Sequence, residues 1–198
     1  MRTRFHWIAC LSVAAFAIVG LSCAALDLDG PSRTNTFGLE GVNVVADPWS
    51  PTGSAPNGLQ WVICDGESPY EVHIARVPNG QASLVGLPSG HTLEVPDNAF
   101  GPGPRVHTVV LVQPRTRYVA VNAHAERAAL QNPLRLTINL SGRANCRPEN
   151  GGALVDPVVV RINPHNGNHT IAPGTVTREP EGTITVSLDS LSTFTIAD

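Results

Sequence analysis

Leu134-Arg135-Leu136-Thr137-Ile138-Asn139-Leu140-Ser141 alternates without a break between apolar and polar side chains. Successive side chains of a strand point to opposite faces, so this period of two places Leu134, Leu136, Ile138 and Leu140 together on one side. Such a stretch reads as a strand half buried against a core. The same pattern recurs outward from it. Val158, Val160 and Ile162 alternate with Arg161 and Asn163. Ile184, Val186 and Leu188 alternate with Thr183, Thr185 and Ser187, and Phe194 and Ile196 begin a last strand. Upstream, Tyr118 to His124 sets Val119 and Val121 against Asn122 and His124, while Val109 to Val112 is apolar throughout. Earlier strand signals are Leu59 to Cys64 and Tyr70 to Val77, where Val72 and Ile74 alternate with Glu71, His73 and Ala75.

Turn signals separate these runs. Asn-Gly occurs at Asn57, Asn79, Asn150 and Asn166, and Glu179-Pro180-Glu181-Gly182 makes a further turn. Asn-Gly tolerates the positive φ angles that tight hairpins require. The 18 glycines and 17 prolines, without a collagen-like period, suit many short strands. The one helical pattern is a turn at Glu126 to Leu130. Strands at roughly ten-residue spacing predict an all-β fold, a single β-sandwich of short antiparallel strands.

The first residues read differently. Arg2 and Arg4 precede an almost wholly apolar run from Ile8 to Leu21. A charged start followed by roughly 7–15 apolar residues is a secretory signal peptide; a spanning helix needs about 20. Small residues follow at Ser22-Cys23-Ala24-Ala25. Cys23, after Gly20-Leu21-Ser22, resembles a bacterial lipobox, in which the cysteine is acylated and becomes the mature N-terminus; Gly20 stands where a leucine-like residue is usual. Cleavage after Ala24 or Ala25 also satisfies the small-residue rule. The chain thus divides into a signal peptide with its helix at 1–24, a linker and irregular segment at 25–58 and the sandwich at 59–198. Within the middle part, Pro31 to Thr36 reads as a linker and Trp49 to Gly58 as a loop. The destination is the periplasm or a membrane surface, with secretion as the alternative.

Of four cysteines, Cys10 leaves with the leader and Cys23 is acylated or discarded. Cys64 and Cys146 remain, and export favours a disulfide between them over two buried thiols. Neither sits in a CxxC or paired Cys/His spacing, so zinc is unsupported.

Composition excludes several functions. Hydrophobic residues at 42% and charged residues at 15% predict one folded domain in a chain of 198 residues. A net charge of -3 and no basic stripe argue against nucleic acid. Every basic residue is arginine, which points to a GC-rich, bacterial source and removes lysine nucleophiles. There is no G-x-S-x-G, H-E-x-x-H or phosphate loop. Ser89-Gly90-His91 pairs a serine with a histidine, read here as pointing to opposite faces of a strand. His165 and His169 lie four apart without a third ligand nearby, and read as loop residues. His91 and His107 are expected at strand edges with partial burial and one hydrogen bond each, His73 and His124 on solvated faces. Asp27-Leu28-Asp29-Gly30 lacks the remaining ligands of a calcium loop. Asn139 and Asn168 open chance glycosylation sequons.

From about Leu59 to Asp198 the order of features resembles the ZU-five domain, the β-sandwich module of ankyrins and netrin receptors, and a group of small exported bacterial proteins with that module. The carrying stretches are Gly90-His91-Thr92-Leu93-Glu94-Val95-Pro96-Asp97-Asn98-Ala99-Phe100, Asn132-Pro133-Leu134-Arg135-Leu136-Thr137-Ile138 and Leu188-Asp189-Ser190-Leu191-Ser192-Thr193-Phe194-Thr195-Ile196-Ala197. Some relatives cut their own backbone at a His-Phe-Ser triplet. Thr193-Phe194-Thr195 stands there in this chain, without the histidine, and Gly80-Gln81 stands where a glycine pair is usual. The export signal, the resemblance and the absence of a catalytic constellation together point to an envelope structural or protein-interaction module without catalytic activity or cofactor, its partner an envelope protein or surface component. The alternatives are an exported hydrolase or self-processing protein using Thr195 or Ser192, and a weak metal-binding protein using His165 and His169.

Overall fold

The computed structural model describes residues 49–101, 106–125, 129–163, 166–172, 177–179 and 182–198. The signal-peptide helix, Cys23 and His165 lie outside them. The described residues are all-β. The strands are β1 (Val62–Ile63), β2 (Glu71–Pro78), β3 (Ser83–Gly86), β4 (Thr92–Val95), β5 (Val106–Gln113), β6 (Ala120–Ala125) and β7 (Leu134–Asn139). They continue with β8 (Arg147–Pro148), β9 (Val158–Ile162), β10 (His169–Ile171), β11 (Thr177–Glu179), β12 (Thr183–Leu188) and β13 (Thr193–Ala197).

Two antiparallel sheets form the sandwich. One has six strands in the order β10-β9-β13-β6-β5-β2, the other five in the order β11-β12-β7-β4-β3. β1 and β8 make a two-stranded ladder of their own. The alternating stretch at Leu134 is β7. Leu134, Leu136 and Ile138 are fully buried, opposite Leu188, Val186 and Ile184 of β12. From the other sheet, Leu111, Val121, Phe194, Val159 and Ile196 meet them in one apolar cluster. Fully burying one such side chain contributes about 1.5–3 kcal/mol, so this cluster is the main stabilising feature.

Several expectations are corrected. β6 is not half solvated: Asn122 is buried, and Val119, Val121 and Ala123 with it. In β2 the core-facing residues are Ala75 and Val77, while Ile74 is exposed, because β2 is an edge strand whose register sets Val77 opposite His107. Of the four Asn-Gly pairs, only that at Asn166 joins hydrogen-bonded neighbours, β9 and β10. Asn79-Gly80 instead carries the chain from one sheet to the other, and Asn57 and Gly58 take positive φ in a single 3-10 turn. Leu130, at the end of the suspected helical turn, forms a β-bridge with Phe100, and Glu126 to Ala128 fall outside the described residues.

The segment from Trp49 to Gly58 lies against the sandwich. Ala55 and Trp61 are buried with Val160 and Ala197, and the Trp61 indole donates to Gly53 O at 2.9 Å. Backbone bonds between Gln60 and Asp198, 2.9 Å each way, fasten the segment to the last residue.

Candidate functional site

Cys64 and Cys146 are disulfide-bonded across 82 residues. The bond joins the segment after β1 to the segment before β8, and polar groups gather around it. Arg143 is their centre. Its guanidinium donates to Tyr118 O (2.7 Å), Gly66 O (2.9 Å), Thr116 O (3.0 Å) and Arg117 O (3.4 Å). A guanidinium has five donors in a fixed fork, so one side chain can reach several backbone carbonyls at once. Burial disfavours its charge and lowers its pKa. Beside it, Asp65 accepts from Asn145 Nδ2 and Arg147 at 2.8 Å each. The Asn145 hydrogen bond first, and that of Arg147 second, hold the Asp65 carboxyl below its ordinary range. The Ser68 hydroxyl donates to Pro114 O at 2.7 Å and accepts the Thr116 N–H at 3.1 Å.

These groups form one wall of a cleft of about 280 Å³, whose other residues include Glu67, Glu71, Ser89, His91 and Gln113. Pro88, Ser89 and His91, at the β3–β4 turn, also line it. Gly90 has φ +88°, and a Cβ there would lie 2.4 Å from Asn139 Nδ2, so only glycine fits the turn. Ser89 and His91 stand two residues apart, a spacing that strand alternation itself places on one face, and both line the same cleft rather than pointing apart.

His91 is fully buried, where partial burial was expected. Its Nδ1 accepts the Asn139 N–H at 3.0 Å, so the neutral ring carries its proton on Nε2. Burial lowers its pKa to about 4, against the opposing pull of a Gln113 hydrogen bond and the Glu71 charge. The unfolded ring titrates near 6.5, so between pH 6.5 and 4 the unfolded chain binds more protons than the folded one. Stability is therefore full above 6.5, falls as pH drops, and levels off below 4. The expected loss is about 3 kcal/mol, read from urea unfolding at pH 7 and pH 4. His91→Gln keeps an acceptor for the Asn139 N–H and is expected to flatten this limb; an unchanged pH profile would refute the assignment.

The Ser89 hydroxyl is buried and has no hydrogen-bond partner, although the Ser89 N–H reaches Glu71 Oε2 at 3.0 Å. Serine and imidazole thus share the cleft without the hydrogen bond that a nucleophile and its base require. The arrangement can bind a small polar group: Ser89 offers a hydroxyl, and Glu67 and Glu71 offer carboxylates.

The other sequence candidates are scattered. Thr195 is wholly buried and donates to Val119 O at 2.8 Å; Ser192 donates to Ile162 O at 2.5 Å. His169 stands edge-on to Trp61, ring centres 5.0 Å apart, with Nδ1 3.2 Å from Ser54 O. Among the described residues no three His, Cys, Asp or Glu side chains form a metal-binding group. His107 is buried against Phe100, ring centres 4.4 Å apart, with neither nitrogen hydrogen-bonded. His73 is exposed as expected, and His124 is half buried, which lowers its pKa. Asn139, the first sequon, uses its amide on Ser89 O and on Ser141.

Sequence reading overlooked Arg143 and Gln113. No motif marks either one; only the place of Arg143, three residues before Cys146, is a signal once the disulfide is known. No family model, curated protein or solved structure matches the chain.

Proposed function

We propose that this chain is an exported module of the cell envelope that binds a partner through the cleft beside its disulfide. The observation that carries the reading is the buried, unpartnered Ser89 hydroxyl in a cleft whose other polar groups are largely satisfied. A buried hydroxyl without a partner costs about 1–3 kcal/mol, which a bound polar group would recover. The disulfide supports an oxidising destination. The commitment of the Thr195 and Ser192 hydroxyls to backbone carbonyls supports binding over hydrolysis or self-cleavage. The ZU-five-like character, the signal peptide and acylation at Cys23 belong to the same proposal. No helix among the described residues is long and apolar enough to cross a membrane. On the lipoprotein reading, acyl chains on Cys23 hold the protein on a membrane surface.

A photoreactive residue at Glu67, on the cleft, is expected to capture one discrete envelope partner. Capture should disappear when Ser89→Leu fills the cleft. The same probe at Val155, exposed elsewhere, is the control. Capture from Val155 and Glu67 alike, or none from either, would overturn the reading. Mass spectrometry of the mature chain, expected intact and inert to serine-reactive probes, tests the hydrolase alternative.

A further inference from the structure

The six-stranded sheet is apolar on both faces. Its inner face meets the other sheet through Val109, Leu111, Val121 and Phe194. The alternate residues point the other way. Strand registers align them in a row across all six strands: Val72, Val112, Asn122, Thr193, Ile162 and His169. A neighbouring row joins Ile74, Val110 and His124. Asn122 Nδ2 donates to the Thr193 hydroxyl at 2.9 Å, so the one polar pair in the middle satisfies itself.

This outward face is dry. Val110 and Val112 are each 1% exposed, and Ala120, Asn122, Thr193 and Ile162 are also buried. The segment Ala55 to Trp61 covers only the end at Val160 and Ala197. Val110, Val112, Ala120 and Ile162 pack into neither apolar cluster of described residues. At the margins of the same face Ile74 and Ile171 are 44% and 39% exposed. A run that is apolar at every position, as Val109 to Val112 of β5 is, needs cover on both sides.

The chain itself supplies a fitting cover. Trp49, the first described residue, bonds its N–H to Arg115 O at 3.1 Å and sets its ring edge-on to Tyr118. Tyr118 shares the parity of Ala120 and Asn122, so the chain enters at this face. Immediately upstream stands Phe37-Gly38-Leu39-Glu40-Gly41-Val42-Asn43-Val44-Val45-Ala46, rich in large apolar residues. Ten extended residues reach about 33 Å, and six strands at their usual spacing span about 24 Å. We infer that residues 37–46 lie across the outward face of the six-stranded sheet and seal Val110, Val112 and the Asn122–Thr193 pair from water.

The test is hydrogen exchange of the full mature chain, read by mass spectrometry. Amides of residues 37–46 are expected to exchange at least about 100-fold slower than in an unfolded chain. Val44→Asp should release that protection and raise binding of a hydrophobic dye, while the Cys64–Cys146 bond and the β-sheet circular dichroism persist. Free exchange of 37–46 in the wild-type chain would overturn the inference. If the chain were then a concentration-dependent dimer, a second copy would be the cover; if monomeric and dye-binding, the face would be open.

Discussion

Removing the Cys64–Cys146 bond, by Cys64→Ala with Cys146→Ala, is expected to cost about 4 kcal/mol of stability. The bond spans 82 residues, which include everything from β2 to β7. On the chain-entropy account, a link over so long a loop removes many unfolded conformations and few folded ones. The local consequence is equally definite. β1 and β8 pair over only two residues each, too few to hold together alone. Without the bond, that ladder relies on the Arg143 carbonyl contacts and on the exposed Asp65–Arg147 pair. Water screens an exposed pair, so it contributes little. Urea unfolding should show a lowered midpoint, and exchange at Val62 to Asp65 should rise before that of β7. A loss under about 1 kcal/mol would mean that the strand ladders alone hold this end.

Phe194→Ala is expected to cost about 3–5 kcal/mol. Phe194 lies on β13 between β6 and β9, opposite Val121 and Arg161, with its ring in the apolar core. No flexible edge adjoins it, so the cavity left by truncation cannot close by collapse of the neighbours. Thr195→Val, one residue along and on the opposite face, removes only the hydroxyl given to Val119 O. It should cost about 1 kcal/mol, the net worth of one buried hydrogen bond. Equilibrium unfolding of both variants, with the same denaturant slope as the parent, checks the contrast. Equal costs would mean that Thr195 has a role beyond that bond.

The difference between these neighbours was half legible beforehand. Alternation already marked Phe194 and Ile196 as one face of a last strand. It did not reveal that Thr193 and Thr195 are buried too, because that depends on what lies over the far face. His91 has the same history. Its neighbours in sequence read as a strand edge, yet Asn139 and Gln113, distant in the chain, enclose it. Ser89 and His91 are two residues apart, and a period of two places such residues on one face, so their common orientation follows from spacing alone.

By itself the amino-acid sequence determined the all-β class and the half-buried strand at Leu134 to Asn139, and it pointed to the Cys64–Cys146 pair. These follow from side-chain alternation, turn chemistry and counting, which are local or compositional properties of the chain. Only the tertiary structure decided that β13 inserts between β9 and β6, that the six-stranded sheet is dry on both faces, and that Arg143, Ser89 and His91 share a cleft. Each of these depends on pairing between residues far apart in the chain. Such pairings are selected by the joint burial of many side chains, and no short stretch carries that information.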